Sequence, residues 1–210
     1  MSAAEAVPNL RERGRLETRR RLIEAGKTLF ARQGFARTRA TDISREAGVA
    51  VGTLYVHFTD KEALLREILF QGFGEIHTVV RRITEAEYAT VRESERAHAE
   101  ALVGYAAEHP ALFQIMFSTE VTTTAAGAEL LEFVTAHQEQ RLREGMAEGY
   151  FRADLDPSVA ARAVIGMLIQ VLHWWTQDPS RVPREVVIDT VTGLRLSGLH
   201  ANNFEGDVTA

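Results

Sequence analysis

Apolar residues along the chain recur at intervals of three and four, the spacing that places side chains on one face of an α-helix. The sequence contains no alternation of apolar and polar residues bounded by hairpin turns, so it predicts no strand. A long helix is predicted between Asp60 and Ile83, where a stripe of leucine, isoleucine and valine continues for several turns. The pattern therefore predicts an all-α fold, whose other helices lie at about 15–33, 40–47, 51–58, 92–108, 110–118, 126–148, 157–176 and 184–199.

The composition changes this picture mainly through charge. The 210 residues suffice for one or two domains, and the absence of cysteine excludes disulfides, thiolate zinc sites and cysteine nucleophiles. Residues 1–61 hold twelve basic and seven acidic residues, whereas residues 62–210 hold twelve basic and twenty-two acidic ones. The formal net charge of −5 thus hides a basic first part, and such an asymmetry indicates contact with a polyanion.

No apolar stretch reaches the roughly 20 residues of a membrane-spanning helix, and residues 1–21 lack the apolar core of a signal peptide. We therefore expect a cytoplasmic protein without a membrane partner. Residues 1–14 and 201–210 show no apolar stripe and are predicted to be flexible tails.

The segment from Thr41 to Phe58 carries the clearest functional signal. Two short helices are joined at Gly48, which can adopt the positive φ of a sharp turn. Helices this short must pack on a neighbour to be stable. The second helix nevertheless exposes small and hydrogen-bonding residues without any Lys, Glu or Asp: Gly52, Thr53, Tyr55 and His57. Small and hydrogen-bonding groups suit close approach to base edges, so the pattern favours a helix-turn-helix that enters the DNA major groove.

Residues 18–65 closely resemble the DNA-binding domain of the TetR (tetracycline repressor) family of regulators. Four segments match in order at unbroken spacing: LFARQGF at 29–35, DISREAGV at 42–49, GTLYVHF at 52–58 and KEALL at 61–65. The resemblance implies a three-helix DNA-binding domain at residues 15–61. It implies a larger helical ligand-binding and dimerisation domain at residues 62–200.

The resemblance also implies roles for individual residues of the first domain. The residues that face the bases would be Val51, Gly52 and Thr53. Tyr55 and Lys61, the latter through its side chain and nearby amides, would contact phosphates, and His57 would reach the DNA backbone. The second helix would flank the groove with Thr38, Arg39 and Ser44. One position departs from the family, because Arg39 stands where Ser or Thr usually caps the second helix. Either Thr38 provides the cap, or Arg39 contacts a phosphate and the cap is weaker by about 1 kcal/mol.

In the second domain the resemblance is looser and implies that the last two helices form a four-helix bundle with those of a second subunit. The apolar stripes that could do this are Val164, Leu168, Val171, Leu172, Trp175, Val187, Val191, Leu194 and Leu199. Ordinary core within one chain is the alternative interpretation of the same stripes.

A pocket for a largely apolar small-molecule effector is expected between the middle helices. Its candidate walls are Phe113, Met116, Phe117, Phe133, Met167 and Trp174, and its candidate polar anchors are Tyr105, His137, Gln170 and His173. Plain core packing is again the alternative interpretation of these residues.

Enzyme and cofactor functions find little support. Glu95 and His98 match the Glu-x-x-His spacing of di-iron helical bundles, but no second copy is present. Nucleophile elbows, phosphate-binding loops and zinc-protease motifs are also missing from the sequence. We therefore predict no catalytic residue, metal or cofactor, and we predict a ligand-responsive repressor that binds a palindromic operator as a homodimer. The alternatives are an activator, or a helical-bundle enzyme or ligand-sequestering protein.

Overall fold

The computed structural model describes residues 9–200, and it confirms the all-α prediction for this part of the chain. The described residues form ten helices, with a single isolated bridge between Phe151 and His200. The helices are α1 (Leu10–Gln33), α2 (Ala40–Glu46), α3 (Val51–His57), α4 (Lys61–Thr84), α5 (Val91–Glu108), α6 (Pro110–Phe117), α7 (Thr119–Thr122), α8 (Ala125–Ala147), α9 (Pro157–Gln177) and α10 (Arg184–Leu199).

The chain divides into two compact units, an N-terminal unit up to Ile68 and a C-terminal unit from Leu69. The predicted boundary at residues 61 and 62 therefore lies at the start of α4, seven residues before the observed one. The difference arises because the first two turns of α4 complete the core of the N-terminal unit. That core consists of Leu22, Ile23, Leu29, Phe30, Ile43, Leu54, Leu64, Leu65 and Ile68.

Helix α1 begins at Leu10, so the prediction that the flexible tail extends to residue 14 is wrong. The Asn9 side chain accepts hydrogen bonds from the backbone N–H groups of Arg11 and Glu12, and the Glu12 carboxylate accepts one from the Asn9 N–H at 2.8 Å. This capping box satisfies the first turn without any apolar stripe. The remaining tail residues, 1–8 and 201–210, lie outside the described residues.

The turn between α2 and α3 has the conformation that the sequence predicts. Gly48 has a φ of 63°, which residues with a side chain rarely adopt. The Arg21 guanidinium of α1 donates hydrogen bonds to the carbonyl groups of Ala47 and Gly48. A Cβ at position 48 would come within 2.7 Å of an Arg21 nitrogen. Arg21 thus holds the turn against α1, and the turn leaves no room for a larger residue.

The C-terminal unit contains the rest of α4 and helices α5 to α10. Helix α9 packs against α6 and α8, and α10 packs against α5. The predicted helix at 126–148 is α8, and it is preceded by the short helix α7, which the periodicity did not predict. Ser118 and Thr124 cap these two helices by accepting hydrogen bonds from the N–H groups of Val121 and Gly127.

Most of the apolar residues predicted for the dimer interface are buried within this one chain. Six of them are core residues of the C-terminal unit, which corrects the prediction for Val164, Leu172, Trp175, Val187, Val191 and Leu199. Leu168 and Val171 are half-buried, and Leu194 is exposed. Helical periodicity shows that a face is buried but not which chain covers it. The large apolar residues exposed on α9 and α10 are Val159, Trp174, Val186 and Leu194.

Helix α9 is the one helix within residues 9–200 that is long and apolar enough to cross a membrane by length and composition. The most apolar stretch in the sequence covers only residues 163–175, but α9 begins earlier because Asp156 caps it and Pro157 starts its first turn. A core helix of a folded domain passes the same test, so this single helix is weak evidence for a membrane span.

Candidate nucleic-acid interface and ligand cavity

Helix α3 buries one residue completely and leaves most of its surface exposed. Leu54 is completely buried, whereas Tyr55 and Val56 of the same helix are 55% and 69% exposed. Val51 is also exposed, and a Cβ added at Gly52 would meet no atom within 4 Å. The result is an open helix face without charged side chains. Val56 belongs to this face although the sequence analysis did not include it. Its position four residues after Gly52 is the signal that could have indicated it.

The polar side chains at the edge of this face are Thr53 and His57, both half-buried. Burial lowers the pKa of His57, and the positive charges of Arg15 and Arg19 on α1 lower it further. The imidazole is therefore neutral at neutral pH, so it can donate or accept a hydrogen bond without adding positive charge.

Two residues predicted to flank the DNA groove, Thr38 and Ser44, are buried in the N-terminal unit instead. Thr38 is 1% exposed, and its hydroxyl donates to the carbonyl of Gly34 at 2.7 Å. Ser44 is completely buried beside Ile43, and its hydroxyl has no hydrogen-bond partner among the described residues. Neither side chain is placed to reach a ligand outside the unit, so both predictions are corrected.

Arg39 occupies the N-cap position of α2, so Thr38 does not provide that cap. A guanidinium cannot accept a hydrogen bond, so only the reciprocal half of a capping box forms: the Asp42 carboxylate accepts from the Arg39 N–H at 3.2 Å. The Arg39 side chain is exposed. It lies at a polar depression together with three other exposed arginines to which the sequence analysis assigned no role, Arg32, Arg37 and Arg45.

Lys61 contributes to the N-terminal unit in a way that differs from its predicted contact with a phosphate. Its ammonium group donates to the carbonyl groups of Phe35 and Thr38 at 2.7 and 2.9 Å, and it lies 4.1 Å from the centroid of the Phe35 ring. The start of α4 is thereby tied to the loop before α2. The side chain thus positions α2 instead of extending toward solvent, because its ammonium group donates to the Thr38 carbonyl and adds a second donor to the Phe35 carbonyl, which also accepts from the Thr38 N–H at 3.2 Å.

The C-terminal unit contains a cavity of about 370 Å³ between α4, α5, α6, α8 and α9, a size within the range of small-molecule sites. Four of the predicted effector residues line it: Phe113, Met116, Phe117 and His137. Two residues predicted for the dimer interface, Leu168 and Leu172, line it as well. Most of the remaining wall is also apolar: Phe73, Ile76, Val80, Leu102, Leu130, Leu131, Val134, Ile165 and Ile169.

The other six predicted effector residues lie outside the cavity. Tyr105 is buried, and its hydroxyl donates to the Glu75 carboxylate at 2.6 Å. Burial and this carboxylate raise the Tyr105 pKa well above its usual range. Phe133 is half exposed and packs on Phe70 and Phe73. The remaining four sit elsewhere on α9, with Gln170 and Trp174 exposed and with Met167 and His173 half-buried. These residues lie on helical faces that periodicity alone could not assign to the cavity.

A polar cluster that the sequence analysis missed lies at the cavity wall. Arg195 donates to the carboxylate of Glu95 at 2.5 and 3.3 Å, and the His200 Nε2 lies 3.2 Å from the same carboxylate. Burial opposes ionisation of Glu95, but the hydrogen bonds from His200 and Arg195 and the charge of Arg195 outweigh it and hold the Glu95 pKa well below its usual range. Glu95 and Arg195 therefore form a buried ion pair.

Arg141 of α8 also lines the cavity, and it has no ion-pair or hydrogen-bond partner within residues 9–200. Burial lowers its pKa, and the nearby positive charge of Arg195 lowers it further. The sequence signal for Arg141 is its helical spacing from Leu130, Val134 and His137, which places all four side chains toward the same face.

Glu95 and His98, which match the Glu-x-x-His spacing of di-iron bundles, make contacts that stabilise the C-terminal unit. His98 contacts the Thr84 hydroxyl through Nε2 and the Ser94 carbonyl through Nδ1. Burial lowers the pKa of His98. In the part of the chain that the structure describes, no group of three or more His, Cys, Asp or Glu side chains is placed to hold a metal ion.

Comparison with known proteins assigns both units. Residues 22–68 match the family model described as "Bacterial regulatory proteins, tetR family", and residues 87–199 match "Tetracyclin repressor-like, C-terminal domain". The HTH-type transcriptional repressor KstR2 of Rhodococcus jostii is 29% identical over 195 residues, which cover 88% of this chain and 90% of the relative.

Solved structures of other regulators have the same fold. The fatty acid degradation regulator FadR from Bacillus halodurans superposes with a TM-score of 0.73 at 26% identity, over 88% of this chain and 97% of that one. FadR from Bacillus subtilis in complex with stearoyl-CoA superposes with a TM-score of 0.65 at 22% identity, over 86% of this chain and 99% of that one. The second likeness shows the fold alone.

Proposed function

The chain belongs to the TetR family of transcriptional regulators, and we propose that it represses genes by binding a palindromic operator as a homodimer that a small-molecule effector releases. Members of this family are regulators and not enzymes. The observation that carries the proposal is the open, uncharged face of α3 on a basic N-terminal unit. By likeness to the other transcription regulators of the family, we propose that the protein is cytoplasmic.

In this proposal α3 is the recognition helix. Val51, Gly52 and Thr53 at its start face base edges, where the missing side chain of Gly52 allows close approach. The exposed hydroxyl of Tyr55 and the guanidinium of Arg39 contact phosphates. His57 adds a hydrogen bond to the sugar-phosphate backbone of the DNA. Lys61 supports the interface indirectly, because it holds the loop that leads into α2.

Dimerisation is proposed to use the apolar side chains that remain exposed on α9 and α10, which are Val159, Trp174, Val186 and Leu194, with half-buried Val171. Exposed apolar residues concentrated on two neighbouring helices are typical of a surface that a partner covers. A two-fold dimer would place two α3 helices in successive major grooves, about 34–36 Å apart along the DNA.

The cavity of the C-terminal unit is proposed to bind the effector. Its mainly apolar wall and its volume suit a small amphipathic molecule. The complex of Bacillus subtilis FadR with stearoyl-CoA shows that a protein of this fold holds an acyl compound. Release requires that the effector bind one conformation more tightly than the other, and such coupling is typically about 1–3 kcal/mol.

Fluorescence anisotropy with DNA from the region upstream of the protein's own gene tests the proposal. We expect specific binding with two chains per operator and an affinity that falls steeply with salt, because each neutralised phosphate adds about 0.9 to the logarithmic slope. An unrelated DNA of equal length is the control. Equal affinity for both DNAs, or a monomer by light scattering at micromolar concentration, would contradict the proposal.

A further inference from the structure

The cavity wall combines apolar side chains with one desolvated cation that nothing in residues 9–200 neutralises. Among the charged side chains at the wall, Arg195 is paired with Glu95, whereas Arg141 has no ion-pair partner among the described residues. Burial lowers the pKa of His98 and of His137, which both line the cavity, so both are neutral at neutral pH. Neither histidine can neutralise the charge of Arg141. Among the described residues, Arg141 therefore supplies a positive charge at the cavity wall that no ion-pair partner compensates.

The position of Arg141 is costly. A guanidinium that is partly removed from water without a carboxylate in ion-pair contact loses hydration, and more distant carboxylates recover only part of this loss. The nearest negative charges that act on it are those of Glu95, which already serves Arg195 and His200, and Glu144, which accepts a hydrogen bond from Gln140. An anionic group bound in the cavity would recover this cost, since an arginine offers five donors in a fork that matches a carboxylate.

We propose that the effector is an amphipathic monoanion, whose carboxylate pairs with Arg141 and whose apolar body lies against Phe113, Met116 and Leu130. The charge count favours one negative charge, because a dianion would again leave an unpaired charge in the cavity. The volume of about 370 Å³ is near the lower end of the range for small-molecule sites, which favours a compact body such as a medium-chain acyl group. This inference rests on the proposed role of the cavity as the effector site.

The test compares a carboxylate with a neutral molecule of the same shape. Isothermal titration calorimetry of the full chain without DNA measures the affinities for decanoate and for 1-decanol. We expect decanoate to bind about 10- to 100-fold more tightly, the range for a charge-assisted hydrogen bond to a buried guanidinium. Arg141→Met should abolish this preference while 1-decanol binds at least as well, and Arg141→Lys should keep part of it.

Arg143→Met is the matched control on the same helix. Its guanidinium is about half exposed and pairs with Glu139 at 2.5 Å. This variant should keep the preference for decanoate. A second readout separates binding from folding. Without ligand, Arg141→Met should melt at a higher temperature than the wild type, because a half-buried charge without an ion-pair partner among the described residues is gone.

Three results would overturn the proposal: equal affinities of the wild type for decanoate and 1-decanol, failure of both to bind, or an unchanged preference in Arg141→Met. Operator release is measured separately. A preference for decanoate that depends on Arg141 but leaves the DNA complex intact would support the anion site and contradict the ligand-responsive function. DNA binding without any decanoate site would do the reverse.

Discussion

Replacing buried Glu95 by Gln should strongly destabilise the C-terminal unit. The carboxylate of Glu95 and the guanidinium of Arg195 are 7% and 6% exposed, so water screens their attraction little. Removing one partner of a buried pair leaves the other charge unpaired and costs about 3–5 kcal/mol. Here the loss would leave two guanidinium groups, Arg195 and Arg141, at the same cavity wall without a negative charge between them.

The pH dependence of this effect follows from the pKa of Glu95, which the structure holds below its usual range. A carboxylate with a lowered pKa adds stability that is fully present above its unfolded pKa of about 4.5 and is lost as the pH falls toward the folded value. The difference in unfolding free energy between the wild type and Glu95→Gln should be constant near neutral pH. It should shrink below about pH 4.5.

Urea unfolding followed by far-ultraviolet circular dichroism measures this difference. Glu185→Gln is the control, because Glu185 is 67% exposed and its 2.8 Å pair with Arg96 should contribute less than about 1 kcal/mol. Replacing both Glu95 and Arg195 by Met should recover much of the loss. The reasoning is refuted if Glu95→Gln costs no more than Glu185→Gln, or if the double replacement by Met costs the sum of Glu95→Met and Arg195→Met measured singly.

Three further substitutions test the N-terminal unit. Lys61→Met should lower the unfolding free energy by about 1–3 kcal/mol, because the Phe35 and Thr38 carbonyl groups lose the ammonium group that ties them to α4. An unchanged melting temperature with a smaller salt slope of DNA binding would restore the phosphate role. Gly48→Ala should lower the melting temperature, because alanine would have to adopt a positive φ at this position and its Cβ would displace the Arg21 guanidinium from the turn. Calorimetry showing equal or greater stability would contradict this. Ser44→Ala should leave both operator affinity and stability within about 0.5 kcal/mol, because the hydroxyl has no partner in the described residues; a large loss of affinity alone would show that Ser44 reaches DNA.

The sequence predicted the helices and the sharp turn well because both have local causes. Apolar spacing places Leu54 and Ile43 in the core, and Gly48 takes the positive φ that few other residues tolerate. The start of α1 was missed because its cap depends on Asn9 and Glu12, which carry no apolar signal.

Side-chain orientation was harder to predict. Ser44 and Thr38 belong to a motif whose general role is DNA contact, but their hydroxyl groups point into the unit. Arg141 lies in a segment rich in charged residues, which is typical of a solvated helix face, yet its guanidinium lines a cavity. Periodicity could not distinguish Leu172, which is covered by its own chain, from Leu194, which is exposed on α10. These outcomes depend on packing between elements that are distant in sequence.

The central claim, that the open face of α3 reads DNA, is tested most directly by operator affinity of Gly52→Glu. A Cβ added at position 52 would meet no atom within 4 Å, so the substitution should leave folding intact while it places a negative charge against the DNA. Gly74→Glu adds the same charge at an equally open helix position of the C-terminal unit. Fluorescence anisotropy should show loss of operator binding for Gly52→Glu alone, with melting temperatures near that of the wild type for both variants. Undiminished operator binding by Gly52→Glu would contradict the account.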